Sequence, residues 1–451
     1  MNYIFLVILI GAHLTILFNI QFTAWPEMFS YPYLVNNGFK LYQDIGLPYQ
    51  PILPLFLAFI YKIFGYNLLI LELFTWTVIL INDFLIFFIS RRVIGKGILV
   101  FLPLSIYIFL QPFTDGNMLW FDLATTPLIL FAVVFLYRFK DWRSFFWFGF
   151  FLALAFFIKQ QTGIIYLFLL LFLTFKKKWS EILYIILGSL VPASLVFFYV
   201  LVNGILKDYI FWTIIVPIFY YPKFPGYTTL PNIKEVVVTI LLFFPAILIL
   251  PKVILKNDLN LKIIFVLFLG AFLAAFPRFA FFRFQPAIVL CVFLFVYLLS
   301  ENSKKLKILV TSSLTFAILL VLRANLELVN LPARFYGEDE IFTFNEMKRF
   351  TSGSKSIFML NEHSLYYVMG GYLPPKPWID NYIWYMEIDG MQDKIIKGFS
   401  KDKPEFIFRK PSQSGNWYSL GTYEPRKIVS FVEKNYEKID NIGSIEVWRR
   451  N

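Results

Sequence analysis

Apolar runs with about the length of a bilayer span recur along the first 320 residues of this chain. The hydrocarbon core of a bilayer is about 30 Å thick, so a helix needs about 20 apolar residues to cross it. Only 16% of the residues are charged, whereas a soluble domain carries roughly 25%. The sequence therefore predicts a polytopic α-helical membrane protein with about 11 transmembrane helices. The predicted spans are residues 3–20, 67–90, 97–113, 118–137, 143–158, 162–175, 180–203, 233–250, 261–277, 284–300 and 306–322.

Basic residues in the short loops between these spans predict the orientation of the chain. With a cytoplasmic N-terminus, five loops face the cytoplasm and each carries three Lys or Arg residues, which agrees with the positive-inside rule. We therefore expect a multi-pass protein of the plasma membrane with a cytoplasmic N-terminus. The net charge of +12 reflects this loop pattern and does not indicate a nucleic-acid partner. The five loops are residues 91–96, 138–143, 176–178, 252–262 and 304–307.

Two long loops and the C-terminal tail are predicted to lie on the outer side. The loops are residues 21–66 and 204–232 of a transmembrane domain, 1–322, and the tail is residues 323–451. Apolar residues 51–65 are predicted to form a surface helix, because a span there would turn all five basic loops outward. The tail alternates β-rich runs with helical stretches, which predicts a small extracytoplasmic α/β domain. These are β-rich runs 356–360, 404–408 and 445–448, and helical stretches 338–350 and 424–437.

The few charged residues at the external ends of the spans include both acids and bases. A charge near hydrocarbon is costly unless it is paired or used, so such residues are candidates for function. One carboxylate can take a proton from an acceptor hydroxyl, and Lys or Arg can hold a phosphate as it leaves. The aromatic-rich external loops suit an amphipathic ligand with an apolar tail. Together these features favour sugar transfer from a lipid-linked phosphate to an extracytoplasmic acceptor.

The first external loop also carries a sequence pattern. The stretch from Trp25 to Gly65 contains an acid, a following tyrosine, a "G…Y-x-D" motif, and a proline-rich entry to an apolar helix that ends in "FG". These positions are Glu27, Tyr31, Gly38, Tyr42-Gln43-Asp44, Pro51, Pro54 and Phe64-Gly65. The pattern resembles the first external loop of the GT-C glycosyltransferases. The nearest branch holds the protein O-mannosyltransferases, the lipid A aminoarabinose transferases and the RgtA/B/C/D-like enzymes. Weaker similarities lie at residues 149–163 and 276–287.

The resemblance implies an inverting glycosyltransferase that uses a polyprenyl-phosphate sugar, with Glu27 as the catalytic base. Asp44 and Asp115 are the other candidate acids, which would orient the sugar or a possible divalent cation; no cofactor is certain. The acceptor would be a hydroxyl of a glycolipid, a polysaccharide or a protein. The candidate substrate-binding residues are Lys159, Gln160, Arg278, Arg283, Tyr31, Tyr42 and Lys40.

The sequence departs from the family pattern at two positions, and simpler interpretations remain open. Pro26 stands where the family has the first acid of a pair, and Arg283 lies near a position where relatives often have His. Glu27 could stabilise a helix N-terminus, Asp44 and Asp115 could be turn residues, and Lys159 could be a span-end lysine. The alternative functions are a transporter or flippase of lipid-linked glycans and a catalytically inactive relative.

Overall fold

The structure, a computed structural model, describes residues 2–451 except 96, 225, 257, 301–302, 352, 381 and 413–422. Lys96, one of the basic residues used above to predict orientation, lies outside the described residues. Within them, the segments before the tail are helical. Their α-helices are α1 (Asn2–Asn19), α2 (Glu27–Asn36), α3 (Ile52–Phe64), α4 (Leu68–Ile94), α5 (Leu102–Leu110), α6 (Phe121–Arg138), α7 (Trp142–Phe156), α8 (Gly163–Phe175), α9 (Trp179–Val202), α10 (Leu206–Ile210), α11 (Ile233–Leu255), α12 (Leu259–Ala274), α13 (Gln285–Leu299) and α14 (Lys304–Asn325).

Every predicted span coincides with one of these helices. Six of them are long and apolar enough to cross a membrane, and they comprise α4, α6, α9, α11, α13 with its preceding turn, and α14 with its following turn. The other five, α1, α5, α7, α8 and α12, are shorter apolar helices. The fold is therefore that of a polytopic α-helical membrane protein, as predicted. The predicted surface segment 51–65 is the helix α3; its position at the membrane and the orientation of the chain stay predictions.

One compact unit contains most of the apolar helices. It consists of Met1–Thr23, Leu71–Phe197 and Thr229–Pro332. Helix α13 lies at its centre, because every residue of α13 except Tyr297 is buried, as expected for a helix that is apolar all round. Helices α7 and α9 approach closely through glycines. A Cβ atom on Gly149 would lie 2.1 Å from the carbonyl oxygen of Ile185, so only glycine fits this crossing.

The second compact unit joins the two long loops to the tail. It consists of Ala24–Ile70, Phe198–Thr228 and Ala333–Asn451. This grouping differs from the predicted organisation, in which both loops belong to the transmembrane domain. Within the second loop, α10 continues as a π-helical segment, Phe211–Tyr220. The helices and strands of the tail are α15 (Glu338–Phe350), β1 (Ile357–Leu360), α16 (Leu365–Gly370), α17 (Ile383–Met386), α18 (Met391–Asp402), β2 (Phe406–Arg409), α19 (Arg426–Asn435), β3 (Tyr436–Ile442) and β4 (Ile445–Arg450).

The tail forms a mixed four-stranded sheet, as expected for a small α/β fold. The strand order is β1-β2-β4-β3; β1 and β2 are parallel, and the other pairs are antiparallel. The three predicted strands and both predicted helices are present. Strand β3 was not predicted, and the helix expected over residues 424–437 ends at Asn435 instead. The five inner residues of β3 are exposed, so this edge strand lacks the apolar alternation by which a strand is recognised.

Candidate active site

Glu27 lies in the first turn of α2, directly after Trp25 and Pro26. Proline tolerates this position because the first backbone N–H groups of a helix have no partner within the helix. The Glu27 side chain is only 5% exposed. Tyr382 donates its O–H to Oε1 of Glu27 at 3.0 Å. Among the described residues, Oε2 of Glu27 is buried and has no hydrogen-bond partner, which calls for an explanation in function.

A second carboxyl group, Asp380, belongs to the same site. Tyr31 donates its O–H to Oδ2 of Asp380 at 2.5 Å, and Asp380 is 6% exposed. Glu27 and Tyr31 are four residues apart on α2 and therefore share one face of the helix. Each acid is thus bonded to a tyrosine of the other segment: Glu27 to Tyr382, and Asp380 to Tyr31. We call these four side chains the carboxylate site.

The electrostatics of the carboxylate site favour a bound proton. Burial raises the pKa of Glu27, and the hydrogen bond from Tyr382 opposes this rise. Burial also raises the pKa of Asp380 well above its usual range, and the charge of Glu27 raises it further. Among the described residues, neither carboxyl group forms a salt bridge. Two buried acids without a counter-ion cannot both ionise at low cost, so the pair retains a proton more readily than exposed carboxyls do.

Both carboxyl groups line a cavity of about 370 Å³. On its wall, Glu362 lies 3.5 Å from Lys410 and 3.8 Å from His363. Arg334 lies over the ring of Phe335, at 4.7 Å from its centroid. The cavity therefore combines aromatic rings, charged groups and a buried acid pair. Its lining residues are Trp25, Pro26, Glu27, Arg334, Phe335, Asn361, Glu362, His363, Ser364, Asp380, Tyr382, Lys410 and Tyr423.

The other candidates of the first loop lie together in a turn that does not line this cavity. Oδ2 of Asp44 accepts hydrogen bonds from the backbone N–H of Lys40 and from Nζ of Lys376, both at 3.0 Å. Lys40 is exposed, and its ammonium group donates to the carbonyl of Asn203. Tyr42 is buried with a φ of 68°. Asp44 is therefore a turn residue that also forms an ion pair with Lys376 of the tail.

In the first compact unit, the candidates Lys159 and Arg283 lie near one another around a small cavity. Lys159 follows the end of α7, and its ammonium group lies 2.5 Å from Oδ1 of Asp122, in the first turn of α6. Arg283 precedes α13, is also buried, and its Nε has no hydrogen-bond partner among the described residues. Burial lowers the pKa of Lys159 to about 8; Asp122 opposes this shift, and the charge of Arg283 adds to it. We call these three side chains the cation site.

The remaining candidates of this unit do not line the small cavity. Gln160 and Arg278 are half-buried, and the backbone of Arg278 pairs with that of Thr229. Asp115 is exposed and adopts a φ of 52°, a conformation that Asp tolerates better than most residues. The amide of Gln285 holds this turn by donating to the carbonyl and the hydroxyl of Thr114.

Within the described parts of the chain, no group of three or more His, Cys, Asp and Glu side chains is placed to hold a metal ion. The possible divalent cation stays a prediction.

Sequence reasoning did not select Asp380, Tyr382 or Asp122. A signal for the first two was present: Asp380 follows Trp378 and a proline within PWIDNYIWY, much as Glu27 follows Trp25 and Pro26. Burying a single acid among aromatic rings costs free energy. Such an acid is therefore a candidate functional residue in both segments.

The sequence matches no known family model and no curated protein. Solved structures do match. ArnT from Cupriavidus metallidurans bound to undecaprenyl phosphate superposes with a TM-score of 0.61 at 10% identity, over 98% of this chain and 97% of that one. The apo state of the same protein gives a TM-score of 0.62 at 9% identity, over 99% and 98% of the two chains. ArnT is a GT-C enzyme, so the likeness confirms the predicted GT-C-like fold over nearly the whole chain.

Proposed function

We propose that this chain, whose fold is that of ArnT, is an inverting glycosyltransferase of the plasma membrane. It would take a sugar from a polyprenyl-phosphate donor and pass it to a hydroxyl group of an extracytoplasmic acceptor. The observation that carries the proposal is Glu27. This carboxyl group is buried in a cavity, one oxygen accepts from Tyr382, and the other has no partner among the described residues.

The chemistry that fits Glu27 is general base catalysis. The acceptor hydroxyl would donate to Oε2 of Glu27 and lose its proton to that oxygen as it attacks the anomeric carbon of the donor sugar. The bond between the anomeric carbon and the phosphate oxygen breaks, and its electron pair stays on the leaving phosphate. Attack from the face opposite the phosphate inverts the anomeric centre. The raised pKa of Glu27 suits this role, because a base works best when its pKa lies near the working pH.

We propose separately that Arg283 and Lys159 bind the phosphate of the donor lipid. The charge of Lys159 is balanced by Asp122 at 2.5 Å, whereas Nε of Arg283 has no partner among the described residues. Arg283 therefore has a donor available for a phosphate oxygen, and guanidinium groups bind phosphate with charge-assisted hydrogen bonds. The undecaprenyl phosphate bound to ArnT in its solved structure makes this lipid the first ligand to test.

The test is turnover by the purified full-length chain in lipid. A panel of polyprenyl-phosphate sugars serves as donors, a crude envelope extract supplies acceptors, and free polyprenyl phosphate is followed by mass spectrometry. We expect release by the wild type and a loss of about 100-fold or more in Glu27→Gln, the scale of general base catalysis. Absence of release with every donor would argue for the transporter or the inactive relative.

A matched control lies in the same cavity. Glu362→Gln removes another acid of this cavity, one that has the ammonium group of Lys410 at 3.5 Å, although its Oε2, like that of Glu27, has no hydrogen-bond partner among the described residues. We expect it to keep most of the turnover. Turnover that survives in Glu27→Gln would keep the glycosyltransferase but move the base to Asp44 or Asp115.

A further inference from the structure

The second compact unit contains another cavity, which the proposed chemistry does not use. Its volume is about 290 Å³, close to the lower limit of roughly 300 Å³ for small-molecule sites. Its lining comes from all three segments of the unit, so the fold of the unit as a whole builds the cavity. The lining residues are Tyr42, Gln43, Gly46, Lys207, Asp208, Phe211, Trp212, Pro377, Ile379, Met391 and Lys394.

The inner wall of this cavity is apolar because a glycine lets a tryptophan ring approach the backbone. A Cβ atom on Gly46 would lie 2.7 Å from the ring of Trp212 and 2.9 Å from the side chain of Ile379. A larger residue at this position would therefore displace the ring. Both Trp212 and Ile379 are buried, so polar contacts with a ligand have to come from the rim.

The rim of the cavity carries two lysines. Lys207 in α10 and Lys394 in α18 are exposed, and within the described parts of the chain neither forms a salt bridge. Nζ of Lys394 lies 5.7 Å from the centroid of the Phe211 ring. Asp208 is the acid among the described lining residues. Two ammonium groups against one carboxylate leave the cavity with a net charge of +1, which a ligand with one negative charge would balance.

A stripe of exposed apolar side chains begins directly beside Lys207. Its members recur every four residues along α10 and the π-helical segment that follows it. The same segment buries Trp212 on another face, so one face packs into the unit while the stripe is left exposed. A helical segment with an apolar stripe and cationic groups beside it suits the boundary between lipid headgroups and acyl chains. The stripe consists of Leu206, Ile210, Ile214 and Ile218.

We propose that this cavity binds the headgroup of phosphatidylglycerol, a phospholipid with one negative charge, and that the acyl chains lie along the apolar stripe. The phosphate accepts hydrogen bonds from the ammonium groups of Lys207 and Lys394, and a headgroup hydroxyl donates to the carboxylate of Asp208. A zwitterionic lipid would leave the positive charge of the cavity unbalanced. The inference does not depend on the proposed function, because the lipid is a ligand here and no bond in it breaks.

The first measurement is the affinity of the full-length chain in detergent for phosphatidylglycerol and for phosphatidylethanolamine, by native mass spectrometry of the first lipid to bind. We expect the wild type to prefer phosphatidylglycerol by at least about fivefold. Each of Lys207→Gln and Lys394→Gln should weaken its binding by about fivefold, and the double variant by about 25-fold, the scale of the attraction between a lysine and an anionic lipid. Thermal unfolding checks that the variants fold.

Two control variants decide whether the effect belongs to this cavity. Lys401→Gln removes another exposed lysine of α18 that does not line the cavity, and it should keep the wild-type affinity. Arg283→Gln should also keep it, because Arg283 belongs to the cation site. A loss in Lys401→Gln equal to that in Lys394→Gln would reduce the effect to general positive charge. A loss in Arg283→Gln alone would move the lipid to the cation site, and equal affinity for the two lipids would also overturn the proposal.

The second measurement separates a lipid from a free phosphate. Glycerol phosphate carries the headgroup chemistry without acyl chains, and its affinity is measured by displacement of phosphatidylglycerol. Each buried methylene contributes about fourfold to affinity, so glycerol phosphate should bind at least about 100-fold more weakly. Phosphatidylglycerol with a photoreactive acyl chain should label residues 206–218, as mapped by peptide mass spectrometry. Equal affinity for glycerol phosphate would indicate a site for small anions, and labelling confined to other segments would place the lipid elsewhere; either result would overturn the proposal.

Discussion

The carboxylate site and the cation site bury acids in two different ways. In the cation site, Asp122 has an ammonium group as its partner, at 2.5 Å. In the carboxylate site, Glu27 and Asp380 have tyrosine hydroxyls as partners and, among the described residues, form no salt bridge. Each acid is less than 7% exposed. The two sites therefore differ in the partner of the acid and not in its burial.

The difference in partner decides what each acid can do. A counter-ion at contact distance stabilises the ionised form and fixes the acid as half of an ion pair. A phenol hydroxyl stabilises the ionised form less, so the burial of Glu27 keeps its pKa raised. An acid that is paired with an ammonium group orients that cation. An acid that is bonded only to a tyrosine hydroxyl can exchange a proton with a substrate. Substitutions that remove one partner at a time test this contrast.

The largest effect is expected for Lys159→Met. This change leaves Asp122 buried without its counter-ion, and breaking a buried ion pair costs about 3–5 kcal/mol of unfolding free energy. Denaturant unfolding in mixed micelles measures the loss. The double variant Asp122→Asn, Lys159→Met should recover much of it, because both members of the ion pair are then removed and position 122 no longer carries an unpaired negative charge. Glu27→Gln should change the unfolding free energy by less than about 1 kcal/mol, since Tyr382 can donate to the amide oxygen.

The contrast between the two sites would be wrong if Lys159→Met and Glu27→Gln changed the unfolding free energy by similar amounts. A loss of several kcal/mol in Glu27→Gln would mean that Glu27 is held as tightly as Asp122. Little change in Lys159→Met would mean that Asp122 does not depend on its counter-ion.

The next largest effect concerns Nε of Arg283, which has no hydrogen-bond partner within the part of the chain that the structure describes. Arg283→Gln should weaken the binding of undecaprenyl phosphate by about 10- to 100-fold, since a hydrogen bond to a charged group contributes about 1.5–3 kcal/mol. Native mass spectrometry of the protein with this lipid measures the affinity. Arg278→Gln is the matched control, because Arg278 is half-buried and does not line the small cavity. Equal losses in both variants would indicate a general effect of positive charge.

The fold could be predicted from the sequence because each membrane helix is encoded locally. A run of about 20 apolar residues specifies a span by its own transfer free energy, and every predicted span is helical in the structure. The strand β3 could not be predicted, because its exposed inner residues carry no apolar alternation. Its position at the edge of the sheet is set by pairing with β4, which local sequence does not encode.

The carboxylate site was only half predictable for the same reason. Glu27 stands out because it lies in a motif within one loop. Asp380 meets it through hydrogen bonds between residues about 350 positions apart, and a single sequence gives no information about such pairs. The substrate contact of Tyr31 stays a prediction; in the structure its hydroxyl donates to Asp380.

A smaller effect is expected for Tyr382→Phe, which removes the hydroxyl that donates to Glu27. The hydrogen bond lowers the pKa of Glu27, so its loss should raise that pKa further. A base must be ionised to act, so the acid side of the pH–rate profile should move to higher pH while turnover above it changes little. Turnover measured from pH 5 to 9 checks this. Tyr42→Phe is the control, because its hydroxyl donates to the carbonyl of Tyr49. An unmoved profile would mean that another group sets the acid side.

The smallest effect is expected for Asp44→Asn. This substitution tests an acid whose ion pair is partly exposed and not buried. Asp44 has an ammonium partner, as Asp122 does, but Lys376 is 39% exposed at its side chain. An exposed ion pair contributes at most about 1 kcal/mol, so the unfolding equilibrium constant should change by less than about fivefold. The turnover rate should also change by less than about fivefold, because Asp44 does not line the cavity of the carboxylate site. Thermal unfolding and polyprenyl phosphate release, measured on the same preparation, separate the two effects. A loss of turnover on the scale of Glu27→Gln with unchanged stability would instead make Asp44 a catalytic acid beside Glu27, and burial would no longer distinguish a catalytic acid from a structural one.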